Sequence, residues 1–299
     1  MSYIWMILKG MLMGIANIIP GVSGGTMAVS LGIYDDLIYS ITHLAKNWKK
    51  SMRILLPLGV GLVLGIIGFS YLIEVLLSQY TLPTALAFIG LILGGIPILI
   101  KSFLLALRQD KKNISFSHIA LFLVFFALVV GLALIQAEGN TMSTITLSFG
   151  SIIKMFFVGV IASATMVVPG VSGSLVLMVL GYYYGILNSV TGFFSALTSM
   201  NIEQLLHYTG ILFPFGIGVL AGIFLISKLI EYLFKNQPAL TYSGILGLVL
   251  ASPFAILYNT NALADLQSSN AVLFLILGLL FAGLCFLLTY YLGKTEDPA

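Results

Sequence analysis

Charge is what this chain has least of. Asp, Glu, Lys and Arg make up 8% of its 299 residues, against 60% hydrophobic ones. A soluble domain carries about 25% charged residues, so a water-facing globule is excluded. Cysteine is nearly absent as well. Cys285 stands alone in an apolar segment, which rules out an internal disulfide framework and a cysteine-rich metal site. His43, His118 and His207 are scattered near loops without metal-ligand spacing, so no metal and no cofactor is expected. The small net charge of +3 encodes orientation in a membrane, and no nucleic-acid partner is expected.

Apolar runs are there instead. Several reach the roughly 17–25 residues that span a bilayer, and the mean hydropathy is +1.11. The chain reads as an all-α polytopic membrane protein. Its first apolar stretch, Ile4 to Ile19, carries only Lys9 as a charge and no small-residue cleavage pattern. It therefore reads as mature structure rather than a signal peptide.

One phrase occurs twice inside such runs: Pro20-Gly21-Val22-Ser23-Gly24-Gly25 returns as Pro169-Gly170-Val171-Ser172-Gly173-Ser174. The similarity continues beyond it. Gly32 and Tyr34 match Gly181 and Tyr183 at the same spacing from the motif. Pro57, Gly59, Gly61, Gly65, Ser70 and Glu74 match Pro214, Gly216, Gly218, Gly222, Ser227 and Glu231 at one constant offset. These matches predict two repeats, residues 1–145 and 146–299, together forming one membrane domain. Each has a motif-containing helix pair, re-entrant or spanning, at about 4–40 and 148–190. Three spanning helices follow in each, at about 54–77, 84–107 and 118–136, then 210–234, 242–258 and 272–292. A pair returns the chain to the side where it began, and three crossings then reverse the side. The repeats are thus expected in opposite orientation.

Charge points the same way. With the N-terminus on side one, the loops there hold Lys46, Lys49, Lys50, Arg53, Arg108, Lys111, Lys112, Lys235 and Lys294. The loops of side two hold Glu138, Glu203 and Asp265, with no Lys or Arg. Basic residues favour the cytoplasmic side, so both termini are expected there, in the cytoplasmic membrane.

Proline lacks a backbone donor and pushes the residue before it out of helical geometry. Each motif should therefore break its helix and start a new one near Ser23 or Ser172. The first amides of a helix have no intrahelical partner and attract anions. The expected phosphate-binding residues are Asn17, Gly21, Val22, Ser23, Gly24, Gly25 and Thr26 from the first motif region. Gly170, Val171, Ser172, Gly173 and Ser174 are those of the second. Few carboxylates lie nearby, which favours a phosphate over a cation. Small residues also serve plain helix packing, and Gly10-x-x-x-Gly14 and Gly61-x-x-x-Gly65 fit that use. Lys9 and Lys154 are candidates for charge compensation, or for snorkelling to an interface. Glu74 and Glu231, late in equivalent helices, are candidates for proton coupling or for pairing with lysines such as Lys228. Asp35 and Asp36 are expected in a solvated return. No Arg/His cluster accompanies either motif, so catalysis is not expected.

The run Gly14 to Thr26 followed by Gly32-Ile33-Tyr34, with its second copy from Val168 to Ser174 and Gly181-Tyr182-Tyr183, resembles the signature of a bacterial family. That family is the polyprenyl-phosphate transporters, formerly domain-of-unknown-function family 368. The resemblance covers essentially the whole chain. It implies a flippase that returns undecaprenyl phosphate across the cytoplasmic membrane and so recycles the carrier used in peptidoglycan and envelope synthesis. Many relatives carry an acid where Asn17 stands here, so the resemblance does not extend to a proton-carrying role at that position. Alternative readings are a carrier of another anionic lipid or a small anion and, further off, a polyprenyl-pyrophosphate phosphatase. The membrane potential opposes inward movement of an anion by roughly 2.3 kcal/mol per charge per 100 mV. Compensation by protons or other ions follows as an expectation.

Overall fold

The computed structural model describes residues 3–19, 22–109, 113–135 and 147–294. Pro20, Gly21, Lys111, Lys112, Gln136 and Glu138 lie outside them. The described chain is helical: α1 (Tyr3–Ile18), α2 (Gly24–Ser30), α3 (Tyr34–Thr42), α4 (Trp48–Gln79), α5 (Thr81–Gln109), α6 (Phe116–Leu134), α7 (Phe149–Val167), α8 (Gly173–Val179), α9 (Tyr183–Thr198), α10 (Ile202–Asn236), α11 (Pro238–Asn259) and α12 (Ala271–Lys294). A short 3-10 helix, Ala262–Gln267, precedes α12. Seven of these, α4 to α7 and α10 to α12, are long and apolar enough to cross a membrane. The chain is an all-α polytopic membrane protein.

Local sequence explains the boundaries. Single residues, Tyr80 and Gln237, separate α4 from α5 and α10 from α11. Side chains cap other helix starts: the Asn201 carbonyl oxygen accepts from the Gln204 amide at 3.1 Å, and the Ser148 hydroxyl from Ser151 at 3.2 Å. The expected motif pairs each consist of three pieces rather than two. After the motif break, α2 and α8 end in the same way. Gly32 (φ +71°) and Gly181 (φ +77°) adopt the left-handed conformation. Their amides donate to Val29 and Met178, and those of the next residues to Ala28 and Leu177. This double hydrogen bond is the Schellman stop, which favours glycine, and it accounts for the repeated glycine of the sequence.

Close glycine contacts fix the helix directions. Gly10 and Gly14 of α1 press on the Leu58 and Leu62 carbonyls of α4, while Gly61 and Gly65 press on Ile7 and Met11. Numbering rises together, so α1 and α4 run parallel, and α2–α3 must carry the chain back between them. The same holds for α7 and α10, where Gly218 meets Phe156 and Gly222 meets Val160. Two further parallel pairs link the halves. Gly90 and Gly94 of α5 pack on Ala282 and Phe286 of α12. Gly247 of α11 packs on Phe122 of α6, and the Ser243 hydroxyl donates to the His118 carbonyl at 2.6 Å. The pairings α1–α4 and α7–α10, and likewise α5–α12 and α11–α6, are symmetric, as an internal repeat produces. Helices α5 and α11 pack against each other as the most buried spans, whereas α12 is the most exposed. The C-terminal end of α10 (Glu231, Phe234) touches α3, just before α4 begins, so α10 runs opposite to α4.

Candidate phosphate site at two helix breaks

Both motifs interrupt their helices. Helix α1 stops at Ile18 and α2 begins at Gly24; α7 stops at Val167 and α8 begins at Gly173. Ser23, in extended geometry (φ −117°, ψ 150°), caps α2 by accepting from the Thr26 amide at 3.2 Å. Its hydroxyl also lies 3.0 Å from that of Thr26. The Asn17 carbonyl oxygen accepts from the Gly24 amide at 2.8 Å, so Asn17 caps the broken backbone. In the second motif Ser172 makes no side-chain cap, and its hydroxyl meets that of Ser174 at 2.8 Å.

The two breaks touch. The Gly170 amide donates to the Thr26 hydroxyl at 2.7 Å, across 144 positions of sequence. A Cβ on Gly25 would lie 2.7 Å from the Val167 carbonyl oxygen, and that oxygen accepts from the Tyr34 hydroxyl at 3.1 Å. Gly170 has φ +81°, and a Cβ there would lie 2.6 Å from the Leu248 carbonyl oxygen. Only glycine suits both constraints. Val22, Ser23, Gly24, Gly25 and Thr26 are all buried, as are Val171, Ser172 and Gly173. A cavity of about 10 Å³ lies against Gly170, Val171 and Ser172. It has room for a water molecule rather than a phosphate.

The charged candidates disperse. Lys9 is fully buried, and its ammonium donates to the Leu31 carbonyl at 3.1 Å. It thus sits at the C-terminal end of α2, where a cation complements the helix dipole, and not beside Ser23. Lys154 is exposed on α7, and Glu74 is exposed on α4. Glu231 faces His43 at 3.4 Å, while Lys228 lies over the Phe224 ring.

A second polar cluster was not singled out from sequence. Asp35 accepts from the Tyr242 hydroxyl at 2.7 Å. These residues line a cavity of about 240 Å³ together with Asp36, Lys101 and Ser102. Desolvation raises the Asp35 carboxyl above its ordinary 3.8, although the Tyr242 hydrogen bond pulls it down; Asp36 adds to the rise. With His43–Glu231 and the edge-on rings of Tyr34 and Phe234, it fastens α3 to α10 and α11. At the matching positions of α9 stand Tyr183, Tyr184 and Gly192. The asymmetry Asp35 against Tyr184 was the available signal.

Residues 13–274 match the undecaprenyl phosphate translocase-like family. The chain belongs to that family. It is 35% identical over 252 residues to a polyprenyl-phosphate transporter of Staphylococcus aureus, covering 84% of each chain. It is 29% identical over 266 residues to a polyprenyl-phosphate transporter of Vibrio cholerae, covering 84% of this chain and 77% of that one. No solved structure matches it. The family is one of transporters, not of enzymes, and membership gives this chain a lipid-phosphate transport role. Helical bundles of this kind belong to the bacterial cytoplasmic membrane, since outer-membrane spans are β-barrels.

Proposed function

We propose that this protein flips undecaprenyl phosphate across the cytoplasmic membrane, with its phosphate held between the two motifs. Residues 1–145 and 146–299 form oppositely inserted repeats, both termini are cytoplasmic, and the motif segments are re-entrant. The observation that carries this reading is the hydrogen bond between Thr26 and the Gly170 amide, which joins both helix breaks at one point. Broken helices meeting at a repeat interface are how inverted-repeat transporters bind anionic groups.

In the present conformation two donors of the first break and one of the second are occupied from within. Asn17 holds the Gly24 amide, Ser23 the Thr26 amide and Thr26 the Gly170 amide. Parting the two motifs exposes these amides and the hydroxyls of Ser23, Thr26, Ser172 and Ser174 to an incoming phosphate. A phosphate would replace these neutral acceptors with charged oxygens, and charge-assisted hydrogen bonds are the stronger kind. The prenyl chain stays in lipid, because only the head needs a polar path. Among the described residues, α3 is tied by polar side chains to helices of the other half, whereas α9 packs on α10 of its own half; this supports a closed cytoplasmic face and a looser external one, which suits capture from the outer leaflet. Charge compensation by protons remains part of the reading, with Glu74 and Glu231 placed towards opposite faces.

Purified protein in vesicles containing undecaprenyl phosphate tests this. A membrane-impermeant phosphatase added outside reaches only the outer-leaflet pool unless the lipid flips. The expected result is release of phosphate from nearly the whole pool. Release that stops at the outer-leaflet share, with protein shown to be folded, would contradict the reading.

A further inference from the structure

The repeat builds one more feature twice. A groove of about 570 Å³ runs between α1 and α4, and one of about 600 Å³ between α7 and α10. Their walls are equivalent positions: Tyr3 and Ile7 match Ile152 and Phe156, and Pro57 and Val60 match Pro214 and Ile217. The difference is at one end. Lys49 and Arg53 line the first groove where Leu206 and Gly210 line the second. On α4, positions 49, 53, 56 and 60 share one helix face, so the groove has a cationic mouth above an apolar channel of Leu56 and Val60. Tyr3 and Trp48 are exposed at the same mouth, where interfacial aromatics belong. Lys50 turns away and lies over the Tyr39 ring at 4.7 Å.

We infer that the α1–α4 groove is a binding site for an anionic phospholipid of the leaflet on that side, its phosphate between Lys49 and Arg53 and an acyl chain along Leu56 and Val60. The charge complementarity of the mouth selects this occupant. The matching α7–α10 groove, lined by Leu206 and Gly210 instead, accepts chains without regard to head charge. The site is separate from the motifs: Tyr3 and Asn17 are about 21 Å apart along α1 at 1.5 Å per residue. It does not depend on which lipid is transported.

Trp5 and Trp48 are the two tryptophans of the chain, which gives a direct readout. In Trp5→Phe protein, Trp48 reports from the groove itself. Vesicles of phosphatidylcholine are doped with either brominated phosphatidylglycerol or brominated phosphatidylcholine, and Trp48 quenching is followed. Half-maximal quenching is expected at a lower fraction of the anionic lipid. Lys49→Gln or Arg53→Gln should each weaken that preference roughly 5-fold, and the pair should abolish it. Both side chains are exposed, and retained phosphate-release activity verifies the fold. Equal quenching by both lipids, or a preference unchanged in the double variant, would overturn the site. A Leu206→Trp reporter in protein lacking Trp5 and Trp48 should show no anionic preference, and finding one there would also overturn it. Displacement of phosphatidylglycerol by a tenfold smaller amount of undecaprenyl phosphate would reassign the groove to the transported lipid and refute this inference.

Discussion

Thr26 concentrates the account at the scale of one residue. It is fully buried, its amide donates to Ser23, and its hydroxyl accepts from Gly170 of the other motif. Replacing it by valine keeps the shape and leaves the Gly170 N–H without its acceptor, at a cost of about 1–3 kcal/mol. Thermal unfolding in detergent should therefore show Thr26→Val clearly less stable, with Thr26→Ser close to the parent. A valine variant as stable as the parent would mean the contact contributes nothing. The hydroxyl itself was legible in the sequence as part of a polar break. Its partner was not, because 144 positions separate the two. Lys9 illustrates the same limit: spacing placed it 11 residues before Pro20, but only the fold aims it at Leu31.

Among the elements, apolar length revealed the six long helices after the motif pairs, with interiors where the hydropathy put them. Their ends were obscured wherever a helix leaves the membrane. Trp48–Arg53 and Ile202–Thr209 continue α4 and α10 as polar turns that hydropathy assigns to loops. The α3 fastening was also hidden: Asp35 is solvent-exposed, as its setting suggests, and its partner Tyr242 lies 207 positions later. That fastening predicts a pH response. Desolvation beside the cavity raises the carboxyl of Asp35, which keeps an exposed edge, in the fastened state, so protonation favours that state. The contribution is full below the ordinary value of 3.8 and is lost as pH rises through the raised one. The groups facing Asp35 are Asp36 and Tyr34 on α3, Tyr242 on α11 and Lys101 on α5. Spin labels at His43→Cys and Glu231→Cys, in Cys285→Ser protein, remove the neighbouring His43–Glu231 contact and report the α3–α10 distance. The short-distance population should fall as pH rises, and Asp35→Asn should flatten the dependence. A short population that grows with pH would reverse the sign and refute the fastening.

For the whole molecule, the parity of crossings and the one-sided Lys and Arg lead to the proposal of opposite insertion, with which the opposed directions of α4 and α10 are compatible. Parallel pairing of α1 with α4 and of α7 with α10 supplies the physical basis for that parity, because each motif segment must turn back. The departure from symmetry was much less visible. One face is tied by polar side chains at α3, whereas α9 carries tyrosines and a glycine at the equivalent positions, so similar backbones rest in different states. In the proposed cycle, transport loosens one tie while the other face closes, around the junction of the two motifs. The most direct test is a density map of the protein reconstituted with undecaprenyl phosphate. The account predicts one phosphate within about 3 Å of donors from both breaks, the Gly24 or Thr26 amide on one side and Gly170 or Ser172 on the other. A phosphate held by a single motif, or bound away from both, would contradict it.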